Sequence, residues 1–318
     1  MVFLRRYLWW IVALVLLLGI FAGYELLFAP PSDFPTGSIV TIGQGASASS
    51  SAQELADAHV IKHPALFRIL LRLSGKSAAV QAGAYLFKSP QNVFAIAKRL
   101  VDGDYGFPLV KLTFPEGMTV REESAEITNA LPMIPADDFL ASAIPYEGYL
   151  FPDTYFFQPT ADAASVIALM RGNFNTKTQS IRNELGPTGR AFSDTVIMAS
   201  LVEKEAKTSA DRKMVAGILY NRLAKNMPLQ VDAVFGYIFN RDTYSPSLAD
   251  LKVDSPYNTY THTGLPPGPI DNPGLDSLEA AANPTPSQYL YYLTDKNGVM
   301  HYATTFAEHQ ANEKKYLD

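Results

Sequence analysis

SDTVIMASLVEKEAK, residues 193–207, reads as one helix, and the rest of the chain can be organised around it. Ser193 and Asp194 offer a cap and negative charge for the helix start. The helix carries two glutamates whose surroundings differ. Three, four and seven residues before Glu205 stand Val202, Leu201 and Met198, so its stripe is apolar. Glu203 follows Ala199 and Ser200 and precedes Lys207 by four, the spacing of a surface ion pair. Glu205 is therefore the glutamate expected to be buried. Burial raises a carboxyl pKa, and the nearby helix C-terminus pushes the same way. A carboxyl still protonated near neutral pH is what a general acid needs. The alternative is a glutamate that only covers the helix face or bridges to Arg212.

Downstream, a second helix is expected to begin at Ser209-Ala210-Asp211, with Met214, Val215, Ile218, Leu219 and Leu223 as core and Asn226-Met227-Pro228 as its stop. Loops follow: Leu229-Gln230-Val231-Asp232, Ser255-Pro256-Tyr257-Asn258-Thr259-Tyr260, and Gly264-Leu265-Pro266-Pro267-Gly268-Pro269-Ile270. Aromatic rings and amides on rigid Pro/Gly loops suit sugars, because rings stack on apolar sugar faces and amides both donate and accept. The same residues also serve as ordinary turn caps. Loops of this length in a compact domain are usually functional.

Upstream, residues 38–131 alternate strand, turn and helix. Ser38-Ile39-Val40-Thr41-Ile42 is a short β-branched strand, Ser51 a helix cap, and Leu66, Ile69, Leu70 and Leu73 one helical face ending near Gly75. Gly83 to Phe87 reads as a strand, and Val93, Ile96, Ala97 and Leu100 as a helix. The pattern returns at Val110–Phe114 and Val120–Ile127. Two small strand–helix units are expected here, either a spacer or a glycan-binding module.

Residues 7–29 form an apolar run, YLWWIVALVLLLGIFAGY followed by Leu26, Leu27 and Phe28, long enough for a hydrocarbon core of roughly 30 Å. Arg5 and Arg6 precede it, Glu25 follows its uncharged stretch Tyr7–Tyr24, Asp33 lies beyond its end, and Trp9 and Trp10 sit near one boundary. This predicts a retained single-pass anchor with residues 1–6 in the cytoplasm and everything after Pro30-Pro31 outside. A cleaved signal peptide is the competing reading, but the run is long for one and no A-x-A site directly follows. Residues 30–37 are a linker.

The 318 residues carry a net charge of −5, 47% apolar residues and no cysteine. The absence of cysteine excludes disulfides and thiolate chemistry, and the acidic balance lacks the basic footprint of nucleic-acid binding. His59 and His63 stand four apart but lack the intervening glutamate of a zinc-protease helix, so no metal is expected.

Several motifs in one order then resemble a known family. Glu147-Gly148-Tyr149-Leu150-Phe151-Pro152-Asp153-Thr154-Tyr155, Ala199 to Glu205, Asn221-Arg222-Leu223, Leu229 to Asp232, Tyr257 to Tyr260, and Gly264 to Gly268 are similar to the signature of the YceG-like endolytic murein transglycosylases. The resemblance covers essentially the whole chain. It implies an α+β protein with a single anchor, a LysM-like α+β unit over 38–131, and a catalytic domain over 132–318 whose helix bears the active glutamate. The family's catalytic residue is the second glutamate of its E-K-E run, which falls on Glu205.

By the same resemblance, the substrate is the β-1,4 bond between N-acetylmuramic acid (MurNAc) and N-acetylglucosamine (GlcNAc), cut without water, cofactor or metal to give a 1,6-anhydro end. Gln230, Tyr257 and Asn258 are expected to hold the sugar, with Asp232, Tyr260, Glu147 and Asp153 as further contacts. Partners would be glycan strands and wall synthases, at the periplasmic face of the inner membrane. Two rivals remain open: a hydrolysing muramidase using Asp232 as second carboxylate, and a non-catalytic wall-binding scaffold.

Overall fold

The computed structural model describes residues 2–74, 80–186, 189–241 and 245–317, with side chains from Tyr7 onward. The helix expected to end near Gly75 ends at Leu73 with Ser74 as its C-cap, and Gly75 itself lies outside the described residues. The chain divides into two compact units, Met1–Leu109 with Gln158–Thr160, and Val110–Phe157 with Ala161–Asp318.

The first unit opens with helix α1 (Val2–Leu27). Its 21 residues Tyr7–Leu27 have a mean hydropathy of 2.2 and are wholly unburied, so they are long and apolar enough to cross a membrane, as an anchor or as a signal sequence. Beyond it come β1 (Ile39–Ile42), α2 (Ala48–Asp57), α3 (Pro64–Leu73), β2 (Gly83–Leu86) and α4 (Val93–Asp102). The two strands pair antiparallel, Ile39 opposite Leu86 and Ile42 opposite Gly83. The helices close over them around Leu55, Val60, Phe67, Leu71, Tyr85, Phe87, Ile96 and Leu100.

Ser47, not Ser51, caps α2, accepting from the Ser50 amide, while Ser51 is fully buried inside the helix. Asn92 caps α4, and Gly103 ends it in the left-handed conformation that glycine adopts without strain. His59 pairs with Asp33 and the His63 ring bonds the Leu26 carbonyl, so each histidine has its own partner.

The second unit comprises β3 (Val110–Thr113), α5 (Val120–Ala130), α6 (Ala136–Ala143), β4 (Thr154–Phe157), α7 (Ala163–Lys177), α8 (Gln179–Leu185), α9 (Phe192–Glu205), α10 (Ser209–Ala224), α11 (Ala233–Phe239), α12 (Leu275–Ala282), β5 (Tyr291–Thr294), β6 (Met300–Ala303) and α13 (Phe306–Tyr316). The compact units part between Leu109 and Val110 rather than at the expected 131/132. The reason is pairing: β3 runs antiparallel to β4, with Val110 opposite Phe157. The third strand–helix pair therefore belongs with the glutamate helix, and the first turn of α5 comes to line the cleft beside it.

Helix α9 is enclosed. Every residue from Thr195 to Val202 is buried, and α10, α11 and α12 pack around it. Each large apolar side chain there contributes roughly 1.5–3 kcal/mol. Its start differs from expectation: Ala191 occupies the cap position with no side-chain bond, and Ser193 and Asp194 lie inside the helix. Core residues Val215, Ile218 and Leu219 of α10 are buried as expected, while Met214 and Leu223 are half-buried.

Candidate active site

Glu205 is the last residue of α9, so its carboxyl emerges where the buried helix meets a cleft. Two cavities meet there, of about 630 and 380 Å³, and Glu205 and Asp232 line both. The hydroxyl of Tyr292, on β5, donates to Glu205 Oε2 at 2.9 Å. Burial raises the Glu205 pKa to about 7. The Tyr292 hydroxyl and the Ala233 amide pull it down, and the Asp232 charge adds to the rise. The result is a carboxyl that holds its proton near neutrality.

Asp232 precedes α11, is exposed to the cleft, and accepts from the Tyr260 hydroxyl at 2.5 Å. Gln230 lies in the left-handed region at φ 51, an uncommon conformation for a residue with a side chain. The Gln230 amide donates to the Thr259 carbonyl at 3.1 Å, the Val231 amide to Thr259 Oγ1 at 2.9 Å, and Pro228 bridges Thr263. Thus the 229–232 and 257–260 motifs, separate in sequence, lie antiparallel against each other. Arg222 ties the first of these segments to the start of β5: its guanidinium donates to the carbonyls of Leu290, Pro228 and Leu229 and to Gln230 Oε1, at 2.6, 3.3, 2.8 and 3.2 Å. With its oxygen engaged by Arg222, Gln230 offers a ligand its amide N–H₂.

Of the residues singled out from sequence, Glu205, Gln230, Asp232 and Tyr260 share this cleft. Four others sit elsewhere. Asn258 is fully buried, its amide donating to the Leu251 and Val253 carbonyls and its oxygen accepting from the Tyr260 amide, so it shapes the loop instead of meeting a ligand. Tyr257 packs against the core and against Tyr237, with ring centroids 5.0 Å apart. Tyr237, in turn, lines the larger cavity.

Glu147 is buried and accepts from the Val120 amide at 3.0 Å, satisfying the start of α5; burial raises its pKa to about 7. It is followed by Gly148 at φ +83, where an added Cβ would lie 2.4 Å from the Pro269 ring, so the motif needs glycine there. Asp153 bonds the Thr154 amide and Asn173 Nδ2, which hold its carboxyl below the usual range.

Glu203 corrects another expectation. It makes no surface pair with Lys207. Instead its carboxylate accepts from Arg212 Nη2 at 2.7 Å and from the Gly274 amide at 2.9 Å, its side chain only 5% exposed. Arg212 thus bridges Glu203 and Asp276, not Glu205.

Tyr292, Tyr291 and Arg222 escaped the sequence reading as site residues. Tyr291 and Tyr292 sit in a run of tyrosines that nothing local distinguishes, although Arg222 lay inside a recognised motif.

One consequence is a pH profile. A group that must donate a proton is competent below its pKa, and the competent fraction falls tenfold per pH unit above it. Activity requiring Glu205 as acid should therefore fall on the alkaline side with a midpoint near pH 7, readable from initial rates between pH 5 and 9. A flat profile up to pH 9 would remove Glu205 from that role.

The sequence model of the YceG-like family matches residues 40–315. A Bacillus subtilis (strain 168) protein named endolytic murein transglycosylase is 33% identical over 322 residues, covering 93% of this chain and 89% of that one. A protein of the same name from Streptococcus pneumoniae serotype 2 (strain D39 / NCTC 7466) is 28% identical over 346 residues. That match covers 94% of this chain but 63% of the longer relative. Among solved structures, the 2.6 Å crystal structure of a YceG-like protein from Listeria monocytogenes superposes with a TM-score of 0.60 at 33% identity, covering 86% of this chain and 98% of that one.

Proposed function

The chain belongs to the YceG-like family, and from that premise we propose that it is a membrane-anchored endolytic murein transglycosylase with Glu205 as its acid and base. The observation that carries the reading is the Glu205 carboxyl itself, at the end of a buried helix, facing a cleft open on both sides, with its pKa raised to about 7. A cleft that continues past the acid in both directions suits cleavage inside a strand.

The bond cut is MurNAc-β-1,4-GlcNAc. Glu205 gives its proton to the glycosidic oxygen as the C1–O bond breaks, and the GlcNAc leaves with a free 4-hydroxyl. The resulting carboxylate takes the proton of the MurNAc C6 hydroxyl, whose oxygen bonds C1 and closes a 1,6-anhydro ring. Glu205 is again protonated, and no water is consumed. Ordinary glycosidases need two carboxylates, whereas here the substrate brings its own nucleophile. Asp232, held by Tyr260, places negative charge beside the developing oxocarbenium ion, and the Gln230 amide holds a sugar oxygen.

Helix α1 serves as a retained anchor. Arg5 and Arg6 keep its start in the cytoplasm, which places both units on the outer face of the inner membrane. The antiparallel pair and flanking helices of the first unit act as a LysM-like glycan-binding module. Endolytic cuts in nascent strands terminate or release them, which makes wall synthases the natural partners.

The test is mass spectrometry of the products when the full chain, in detergent, acts on purified glycan strands. Internal 1,6-anhydromuramoyl ends are expected. Reducing ends would transfer the reaction to a water activated by Asp232, and intact strands would leave a non-catalytic binding role.

A further inference from the structure

Helix α1 and the rest of the first unit are joined where the apolar run ends. The last carbonyls of a helix have no donor within it. In α1, the Glu25 carbonyl accepts from Lys62 Nζ at 2.8 Å, and the Leu26 carbonyl bonds the His63 ring at 3.0 Å. The Val93 amide donates to the Phe28 carbonyl at 3.2 Å, and the Phe28 ring stacks on Phe94 with centroids 5.0 Å apart. Lys62 and His63 lead directly into α3, and Phe94 stands in the first turn of α4. Both helices therefore start beside Leu27, the last residue of the apolar run.

Helix α3 is apolar on two sides. Phe67 and Leu71 are buried in the core of the unit. Ile69 and Leu73 stand two residues on from each, so on nearly the opposite side at about 100° per residue. They are 51% and 80% exposed. Arg68 and Arg72, also exposed, run along the flank between the two stripes, and Arg68 reaches Ser49 Oγ at 3.2 Å. A helix surrounded by water and its own core needs one apolar stripe. A second stripe edged by arginines is the composition of a helix lying in a bilayer interface. Phe94, 46% exposed beside Phe28, extends the apolar exposure to α4.

We propose that the first unit is seated on the membrane, with α3 at the headgroup level, Ile69 and Leu73 among the acyl chains, and Arg68 and Arg72 against anionic lipid phosphates. The inference rests on the retained-anchor reading of α1 and goes beyond it, since an anchor alone leaves the unit free to stand off in water. Contact with lipid removes the exposed stripe from water, and each arginine adds its own attraction to an anionic surface. Seated in this way, the unit meets only the layer next to the bilayer.

The chain has no cysteine, so single cysteines give unambiguous labels: Ile69→Cys, Leu73→Cys and, within the apolar run, Leu17→Cys. Each full chain carries an environment-sensitive fluorophore (NBD) in nanodiscs of phosphatidylglycerol and phosphatidylethanolamine. Two quenchers are compared, a lipid with a nitroxide high on its acyl chain and acrylamide in the water. The nitroxide should dim the labels at 69 and 73 nearly as strongly as at 17, while acrylamide reaches them poorly. Arg68→Gln/Arg72→Gln, or phosphatidylcholine in place of phosphatidylglycerol, should lower the ratio of seated to free unit by about fivefold per arginine.

Labels at 69 and 73 quenched by acrylamide and not by the nitroxide would overturn the assignment, as would indifference to lipid charge. Protection from both quenchers would put a protein surface, such as a second copy of the chain, on α3 and overturn it too. A label at 17 that the nitroxide does not reach would remove the anchor, and this inference with it.

Discussion

Glu205→Gln should abolish strand cleavage, by about 10³-fold, while making the protein harder to unfold at pH 8. The two effects have one cause. The fold holds the Glu205 carboxyl where burial raises its pKa from the usual 4.5 to about 7. Between those values the folded chain binds a proton that the unfolded chain has released, so stability falls as pH rises from about 4.5 to about 7, and the deficit is complete above that. At about 1.4 kcal/mol per unit, discounted because Glu205 opens to the cleft, the deficit is on the order of 2 kcal/mol. Gln keeps the shape and can still accept from Tyr292, but never ionises.

Melting temperature should therefore rise by roughly 5 °C at pH 8, with the difference vanishing near pH 4.5. Glu203→Gln provides the contrast, since it breaks the 2.7 Å pair with Arg212 and should destabilise. An inactive Glu205→Gln that also melted early at pH 8 would attribute the lost activity to misfolding and end the catalytic assignment.

The enclosed helix was legible because its evidence is local. Met198, Leu201 and Val202 mark one face of α9, and all three are buried. Glu203 was misread for the converse reason: its partners, Arg212 and the Gly274 amide, come from 9 and 71 residues away, beyond any helical window. Pairing is equally invisible to periodicity. Val110–Thr113 reads as a strand, but nothing in it names Thr154–Phe157 as its partner, and that pairing moves the boundary between units.

Among the loop motifs, residue type showed that amides and rings suit sugars, but not which ones reach the cleft. Gln230 does, while Asn258 is spent on its own loop. Tyr292 lies 87 residues from the glutamate it touches and has the same type as its neighbours Tyr289 and Tyr291. Only the assembled fold singles it out.

Arg222→Met should lower stability by about 3–4 kcal/mol and, at temperatures where the variant stays folded, slow cleavage by about 10²-fold. The residue is 6% exposed and its guanidinium spends its donors on four oxygens. Methionine fills much of the volume but leaves buried carbonyls unpaired, and each such loss costs about 1–3 kcal/mol, partly offset by removing a buried charge.

The kinetic effect follows from which oxygens these are. Leu290 immediately precedes β5, which carries Tyr292 to Glu205. Pro228, Leu229 and Gln230 form the segment that carries Asp232 and holds Gln230 at φ 51. One guanidinium thus fixes the spacing of both walls around the acid without touching it, and displacement of a catalytic group by about 1 Å costs about 10²-fold. Arg222→Lys should fail almost as badly, because an ammonium cannot span four acceptors in a planar fork. Chemical denaturation and single-turnover rates measure the two effects separately. An Arg222→Met protein that is destabilised but cuts at the normal rate would show that the walls keep their spacing without the clamp, and that Glu205 depends on its helix alone.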